Sequence, residues 1–452
     1  MDRRIEEMTV PCELASEPVL DVRHRDTRDG AIYGGRLYRR LSHMSREQDL
    51  MRMFYTSDDF TYKGHACPGI PFLCENDMEF VMEVNDYLLW TALENASTAS
   101  PATWKSHAES LDDYFSWLRA NLLSWDSKPN KGRQGEEIST PAIYRNWSLG
   151  LVDPGTGRQQ VQSSTVRKRL THIMAFYRWA ARRGRIDFVP WESRDFAFVP
   201  EVHPDMYRHA RAGRIVERDN LRPTARKKLV PLLTINQCRE LLKACTTETL
   251  RLMTKLMLQT GLRNAECRTF PKKYVFDPSP VSRNRRIPVN LDPADMELKH
   301  GKARRVYVSW HMMKDLFDYL NFGEGAFRSR SHREAIGTPA TVAFLNQGGG
   351  RWNEKGLNNA YRKLWAPSGS SPPVLGFRAT PHMLRHTFAT CELFAESKRV
   401  NLGHALAWVR DRLGHSSIST TTRYVHCLDL FGETDLNEYQ LEIDGLLAGD
   451  AS

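Results

Sequence analysis

The sequence predicts a mainly α-helical chain with a small β-hairpin in its C-terminal part, an α+β arrangement. Three observations indicate this fold class. Apolar residues recur at helical spacing over long stretches before residue 188 and again after residue 234. Ser, Thr, Pro and Gly stand where these helices should begin and end. Residues 295–308 instead alternate around a glycine, as the strands of a hairpin do.

Composition sets the class of protein before any motif is considered. A length of 452 residues indicates two or three domains, and 64 Lys+Arg against 54 Asp+Glu leave a net charge of +10, which favours a polyanionic partner. The cysteines form no C-x-x-C pair, so we interpret them as buried thiols in a reducing compartment. No signal peptide and no run of about twenty apolar residues is found. We therefore expect a soluble intracellular protein without a membrane partner.

The first part of the chain divides into an irregular and a helical stretch. Residues 1–75 mix charged residues, glycines and short apolar islands, which predicts an N-terminal extension of undefined role with room for a short strand pair. Residues 76–188 have helical periodicity. A helix capped by Ser164 combines an apolar with a basic face, which suits contact with a DNA backbone. A solvated face on a bundle helix explains it equally well. The candidate DNA-binding residues are Arg167, Lys168, Arg178 and Arg182.

Residues 189–228 form a predicted linker that is rich in proline and arginine. A basic linker can follow a DNA groove and become ordered on binding, and a plain tether is about as good an interpretation. Lys227 and Lys228, at its end, are further candidate DNA-binding residues.

Two motifs follow in the next stretch. Thr234 and Gln237 have the spacing of a capping box, and the sequence TGLRNAE at 260–266 ends one helix at its glycine and starts another. Taken alone, Arg263 and Glu266 in that motif are best explained as a surface ion pair one helical turn apart. An arginine at this position also suits a phosphate oxygen, with the glutamate orienting it.

The predicted hairpin carries two lysines. Its strands are expected at 295–298 and 303–308, with the turn at 299–302. Lys299 and Lys302 lie in or beside this turn. Taken alone, a hairpin lysine is better explained by protection of the sheet edge and by solubility.

Residues 380–424 carry the densest cluster of reactive side chains. Thr380 and Pro381 should start a helix that places His382 and Arg385 along one edge near its N-terminus. A second helix should end at the left-handed Gly414 and present His415 on a turn. A Ser/Thr-rich run then makes a poor helix interior, so Tyr424 should lie on a marginal, movable segment. Guanidinium groups match phosphate, imidazoles move protons near pH 7, and a phenol can attack phosphorus.

These motifs resemble those of the tyrosine recombinase, or phage integrase, family. The sequence HMLRHTFAT at 382–390, followed by LGHSSISTTTRY at 413–424, resembles the C-terminal active-site box of that family. The TGLRNAE motif resembles the segment that supplies the first active-site arginine. Lys299 is the better match to the catalytic lysine of the family hairpin, and Lys302 is the second choice.

The resemblance implies a domain organisation. Residues 76–188 would be a helical core-binding domain that clamps DNA, and residues 229–428 would have the tyrosine-recombinase catalytic fold. An acidic tail at 429–452 would follow and pack either in cis or against another protomer. The sequence differs from the family in its long 189–228 linker, in a slightly extended connector between Thr390 and Leu413, and in Tyr307 where the family often has proline.

The resemblance also implies a function. A site-specific recombinase would cut and rejoin double-stranded DNA through a 3′-phosphotyrosyl intermediate, without metal or ATP, for a mobile genetic element. Tyr424 would attack, Arg263 and Arg385 would clamp the phosphate, Lys299 would protonate the leaving oxygen, and two histidines would assist. The residues at the matching positions are Arg263, Lys299, His382, Arg385, His415 and Tyr424, with Glu266 in support. His386 is expected to support its helix.

The family pattern further implies a homotetramer on DNA in the bacterial cytoplasm, associated with the nucleoid. An accessory DNA-bending or directionality protein is a further candidate partner. Two alternatives remain open: a catalytically silent DNA-binding or excision-control protein on the same fold, and an activity like that of a type IB topoisomerase. The first should have lost a catalytic position, whereas all of them are present.

Overall fold

The computed structural model describes residues 51–95, 100–128, 130–131, 137–197, 215–224, 230–367 and 372–428. The chain divides into two compact units, Met1–Arg226 and Lys227–Ser452. Helices dominate both, and the described sheets are two-stranded and antiparallel, which confirms the predicted mainly α class with a small β component. Predictions for Lys227, Lys228 and the acidic tail lie outside the described residues. None of the described helices is both long and apolar enough to cross a membrane.

The N-terminal unit is a helical bundle with small strand pairs. Its helices are α1 (Met82–Leu93), α2 (Pro101–Ala120), α3 (Thr140–Gly150) and α4 (Ser163–Arg182). Its strands are β1 (Arg52–Tyr55), β2 (Thr61–Tyr62), β3 (His65–Ala66), β4 (Pro71–Cys74), β5 (Asn130–Lys131), β6 (Glu137–Ile138), β7 (Ser193–Ala197) and β8 (Ile215–Asp219). The antiparallel pairs are β1 with β4, β2 with β3, β5 with β6, and β7 with β8.

Aromatic side chains fill the core of this unit. Tyr114 of α2 and Tyr177 of α4 are fully buried, and their hydroxyls lie 2.8 Å apart. Leu73 of β4 and Leu221, which follows β8, belong to the same apolar cluster. The strand pair within residues 1–75 and Leu221 of the predicted linker therefore pack with the helical unit.

The C-terminal unit contains the motifs of interest. Its helices are α5 (Ile235–Ala244), α6 (Glu248–Thr260), α7 (Asn264–Arg268), α8 (Trp310–Asn321), α9 (Glu324–Ile336), α10 (Glu354–Trp365), α11 (Pro381–Ser397), α12 (Leu402–Leu413), α13 (Ile418–Thr421) and α14 (Val425–Leu428). Its strands are β9 (Ile287–Leu291) and β10 (Arg304–Val308). Short 3₁₀ turns lie at Lys272–Tyr274, Lys299–Gly301 and Thr422–Tyr424.

The local start and stop signals in this unit are confirmed. Thr234 and Gln237 form the capping box of α5. Thr380 caps α11 by accepting a hydrogen bond from the backbone N–H of Met383, with Pro381 in the first turn. Gly414 ends α12 with a φ of +64°. Each signal depends on residues within one turn, so the chain forms these caps wherever the helix packs.

The predicted first strand of the hairpin is wrong. The partner of β10 is β9 (Ile287–Leu291), with Val289 opposite Val306, and residues 295–298 form a turn and loop. In β9 the apolar residues at alternate positions are buried and the others are exposed, which is the pattern of a half-buried strand. Lys299 still lies between the two strands, in the 3₁₀ turn that leads into β10.

Helix α11 links the two apolar clusters of the unit. Leu384 on one side of it belongs to the main core, together with α6, and Phe388 on the other side joins α12 and Tyr424. Gly261, the left-handed residue that ends α6, lies directly against Phe388. This close approach brings the end of α6 beside α11, where the functional side chains begin.

We predict that Gly261→Ala destabilises the C-terminal unit more than Gly337→Ala. Both glycines have a positive φ, which costs an alanine about 1 to 2 kcal/mol. A Cβ at Gly261 would lie 2.3 Å from the Phe388 ring, whereas no atom lies within 4 Å at Gly337. We expect a total loss of about 2 to 5 kcal/mol for Gly261→Ala in urea denaturation. Equal losses at the two positions would contradict the tight packing of α6 against α11.

Candidate active site

A buried carboxylate lies at the centre of the predicted site. Glu266 on α7 is 0% exposed, and each of its oxygens accepts a hydrogen bond from the guanidinium of Arg304, at 2.9 and 2.6 Å. The Arg263 guanidinium donates to the same carboxylate at 2.8 Å, and the Arg263 backbone N–H donates to it at 2.7 Å. The predicted supporting role of Glu266 therefore has a direct geometric basis.

Burial alone would raise the pKa of Glu266. The hydrogen bonds and the charge of Arg304, followed by the charge of Arg263, outweigh burial and lower the pKa to about 2. The carboxylate is thus ionised at all ordinary pH values and holds both guanidinium groups in fixed positions.

Arg263 and Arg385 converge on neighbouring backbone carbonyls. Arg385 on α11 is buried and donates to the carbonyls of Gly261 and Leu413, at 2.6 and 2.7 Å. Arg263 donates to the carbonyl of Gly414 at 3.3 Å, one residue further along the chain. Burial, and next the charge of Arg263, lower the pKa of Arg385 to about 9. The two predicted phosphate ligands therefore lie close together.

Two histidines lie one turn apart along α11. His382 is exposed, His386 is buried, and their ring centroids are 4.0 Å apart. Partial burial of the His382 ring, and then the charge of Arg385, lower its pKa, and the Lys299 ammonium also contributes to this shift. Lys299 is itself exposed. The hairpin lysine is therefore near enough to act electrostatically on the side chains of α11.

His415 and Tyr424 meet on the segment after α12. Nδ1 of His415 lies 3.0 Å from the Thr421 hydroxyl, and the His415 ring stacks against Tyr424 with centroids 6.4 Å apart. Burial, followed by the charges of Arg385 and Arg263, lowers the pKa of His415 to about 3. The Ser/Thr-rich run contains only the four-residue helix α13 and a 3₁₀ turn, as expected of a poor helix interior.

The Tyr424 hydroxyl lies inside this cluster. Tyr424 is 1% exposed, and its hydroxyl lies 2.9 Å from Nδ1 of His386. Burial raises the pKa of the phenol, and the nearby charges of Arg385, Arg423 and Arg263 oppose that effect. The hydroxyl thus lies beside His386, and the charges of both predicted phosphate ligands act on it.

The structure brings the predicted residues of this unit together. They are Arg263, Glu266, Lys299, His382, Arg385, His415 and Tyr424, and none lies elsewhere in the fold. The sequence did not predict a role for Arg304, which binds Glu266. The available signal was the alternation of side chains along β10, which places Arg304 on one face of the strand. The sequence predicted only a helix-supporting role for His386, whereas the structure places that ring at the tyrosine hydroxyl.

The candidate DNA-binding residues of the N-terminal unit have different environments. Arg167 donates to the backbone carbonyl of Pro223 at 2.6 Å. Lys168 and Arg182 are exposed, and the Arg178 guanidinium lies over the Trp191 ring at 5.3 Å. On a helix of 3.6 residues per turn, all four basic residues fall within an arc of about 100° on α4.

Comparison with known proteins assigns the C-terminal unit to a class. Residues 231–430 match the model of the phage integrase family. Transposase A from transposon Tn554 of Staphylococcus aureus is 26% identical over 297 residues, which is 64% of this chain and 73% of the relative. A tyrosine recombinase XerC of Lactobacillus leichmannii is 25% identical over 272 residues, or 59% and 74% of the two chains.

Solved structures give weaker matches. The Tn1549 transposon integrase in complex with circular intermediate DNA aligns over 76% of this chain and 94% of that chain, at 16% identity and a TM-score of 0.45. The family match and the sequence relatives assign residues 231–430, the part of the chain that holds the candidate site, to the phage integrase, or tyrosine recombinase, family. These similarities support tyrosine site-specific recombinase activity.

We predict that Glu266 makes the stability of the C-terminal unit depend on pH in the acidic range. Its pKa is lowered from 4.5 to about 2 by folding, so the ionised carboxylate stabilises the folded state at neutral pH. The contribution, about 3 kcal/mol, is complete above about pH 5 and is lost as the pH falls toward the folded-state pKa. Urea denaturation should show wild type losing stability between about pH 5 and 3.

Glu266→Gln should be less stable than wild type at pH 7, because the buried Arg304 loses its counter-charge. It should also lose less stability on acidification. Glu297→Gln is the control, since that carboxylate is exposed and lies 3.5 Å from Arg268. An unchanged acid slope in Glu266→Gln would disprove the role of this carboxylate.

Proposed function

We propose that this chain cuts and rejoins DNA through a covalent bond between Tyr424 and a 3′-phosphate, in the service of a mobile genetic element. The observation that carries this proposal is the position of the Tyr424 hydroxyl, which lies 2.9 Å from Nδ1 of His386, the residue after Arg385, with the charges of Arg385 and Arg263 acting on the phenol. A phenol beside two guanidinium groups is the arrangement that attack on a phosphodiester requires. The similarity to a transposase supports the mobile-element role.

The two arginines would bind the non-bridging oxygens of the scissile phosphate. Arg385 is fixed by two carbonyls, and Arg263 by Glu266 and one carbonyl, so neither has to be reordered when charge develops on phosphorus. Preorganised cations of this kind stabilise a transition state more than the ground state. These side chains supply the positive charge, so the proposed mechanism involves no metal ion.

Lys299 would protonate the leaving 5′-oxygen. It is exposed in a turn next to β10, and its charge acts on His382 across the site. His382 and His415 would hydrogen-bond the phosphate and assist proton transfer. Because the phosphotyrosyl ester retains the energy of the phosphodiester, a 5′-hydroxyl from another strand could reverse the step without ATP.

Strand exchange would take place in a homotetramer on DNA and pass through a Holliday junction. The N-terminal unit would contact the DNA backbone through the basic face of α4, where Lys168 and Arg182 are exposed. Arg167 would act indirectly, since its guanidinium is bound to the carbonyl of Pro223.

We predict that Tyr424→Phe abolishes covalent capture of a nicked suicide duplex. The substitution removes the attacking oxygen and keeps the ring that packs among Phe388 and Leu413. The readout is a protein–DNA adduct on a denaturing gel. Tyr361→Phe is the matched control, because Tyr361 is also fully buried in this unit and its hydroxyl bonds only to core groups such as Thr254. An adduct that persists in Tyr424→Phe would refute the assignment of the nucleophile.

A wild-type protein that binds candidate junctions but forms no adduct would favour the catalytically silent alternative. Binding is therefore measured on the same duplexes by gel shift, so that absence of the correct DNA site and absence of chemistry give different results.

We predict that Lys299→Ala slows cleavage about 10²- to 10⁴-fold, the typical contribution of a general acid. A substrate with sulfur in place of the leaving 5′-oxygen should restore the rate, because a thiolate leaves without a proton. Lys302→Ala, in the same turn, is the control. Its cleavage rate should be close to that of wild type with either substrate. If Lys302→Ala is the slow variant and the sulfur substrate restores its rate, Lys302 and not Lys299 is the general acid.

A further inference from the structure

The hydroxyl of the proposed nucleophile contacts a histidine that none of the proposed roles includes. The Tyr424 hydroxyl lies 2.9 Å from Nδ1 of His386, and both residues are buried, at 1% and 3% exposure. By contrast, His415 uses its Nδ1 on the Thr421 hydroxyl. Among the described histidines, His386 is the one with a ring nitrogen in hydrogen-bonding distance of the phenol.

The position of His386 is fixed by its neighbours. It follows Arg385 directly on α11, so the two carbonyls that hold the Arg385 guanidinium also fix the backbone from which His386 projects. Its ring packs against the His382 ring at 4.0 Å and against the Tyr424 ring at 5.6 Å, measured between centroids. The imidazole therefore cannot turn away from the phenol without displacing both rings.

The charges around His386 keep its imidazole neutral in the free protein. The groups that face it are His382 and Arg385 of α11, His415 after α12, and Arg423 and Tyr424 of the 3₁₀ turn. Burial, and then the charges of His382 and Arg423, lower the pKa of His386 to about 3. A neutral imidazole with its proton on Nε2 can accept the phenolic proton at Nδ1.

A bound phosphate would change this balance. Part of the lowering comes from positive neighbours, one of which, Arg385, is a proposed phosphate ligand. The negative charge of a phosphodiester at that guanidinium opposes the effect and makes the imidazole more basic. The basicity of His386 would then increase when the substrate binds.

We propose that His386 is the base that takes the proton of Tyr424 during strand cleavage and returns it during rejoining. The inference rests on the proposed role of Tyr424. In cleavage, the phenolic O–H bond breaks and its proton moves to Nδ1 of His386 while the oxygen bonds to phosphorus. The bond from phosphorus to the 5′-oxygen breaks, and that oxygen leaves with the electron pair and takes a proton from Lys299. Rejoining runs the same transfers in reverse.

The test compares His386→Asn with wild type in single-turnover cleavage of the nicked suicide duplex. An asparagine can hydrogen-bond the phenol but cannot take its proton. We expect the rate at pH 7 to fall about 10²- to 10⁴-fold and to recover as the pH rises and the phenol ionises. A fluorinated tyrosine at position 424, whose phenol is more acidic, should restore much of the rate in His386→Asn.

The matched control is His332→Asn. His332 is buried in the same unit, and its Nδ1 lies 2.8 Å from the carbonyl of Gly349, away from the proposed site. This variant should lose stability to a similar extent and keep the wild-type pH profile of cleavage. A recovery with pH that occurs only in His386→Asn therefore reports on proton transfer and not on folding.

Three results would overturn the inference while leaving Tyr424 as the nucleophile. The first is a cleavage rate of His386→Asn equal to that of wild type. The second is a faster rate, which would mean that His386 restrains the tyrosine. The third is a slow rate that neither a higher pH nor the fluorinated tyrosine restores. An adduct in Tyr424→Phe would instead remove the nucleophile and the inference together. If His386→Asn does not fold, the fluorinated tyrosine is tested with His386 intact. A rate that then rises tenfold per tenfold gain in phenol acidity means that no base receives the proton.

Discussion

The site depends on one buried ion cluster. Glu266 is enclosed, and an isolated carboxylate there would be strongly destabilising, but two guanidinium groups and a backbone N–H bind it. Arg304 also donates to the carbonyl of Arg412, so the cluster joins α7, β10 and the end of α12. Removal of the carboxylate would leave Arg263 and Arg304 without this counter-charge and would break the link between α7 and β10. The geometry of the proposed phosphate site is therefore inseparable from the packing of these elements.

Two helix ends complete the support of the arginines. Helices α6 and α12 both terminate at a left-handed glycine, Gly261 and Gly414, and the last carbonyls of a helix lack partners within it. Arg385 binds carbonyls at both ends, and Arg263 binds one. The partial negative charge at a helix C-terminus stabilises each guanidinium. The arginines thus donate hydrogen bonds to the last carbonyls of the two helices, and these carbonyls hold the guanidinium groups in place.

Local signals could be read from the sequence, and contacts between distant segments could not. Thr234, Thr380 and Gly414 act within one turn, so their caps were predicted correctly. The partner of β10 was not, because residues 295–298 are nearer in sequence than β9 and only the fold shows which segment is buried. In the sequence, Arg304 has the pattern of an exposed strand residue. Its partner Glu266 lies 38 positions earlier, and only the fold brings the two side chains together. The contact of His386 with Tyr424 likewise depends on how the chain turns after α12. The resemblance of the motifs therefore identified the candidate site residues, and the structure showed which of them are in contact.

The same positive charge that would bind the phosphate also governs the proposed proton transfers. Arg385 contributes to the lowered pKa of His382, His386 and His415, and Arg263 contributes to that of His382 and His415. Without a phosphate the imidazoles are neutral and weakly basic, so the buried phenol keeps its proton. A phosphodiester placed on the guanidinium groups cancels part of their field and raises the basicity of all three rings. Substrate binding and activation of the nucleophile are then one electrostatic event, which would restrict cleavage to the state in which DNA is bound.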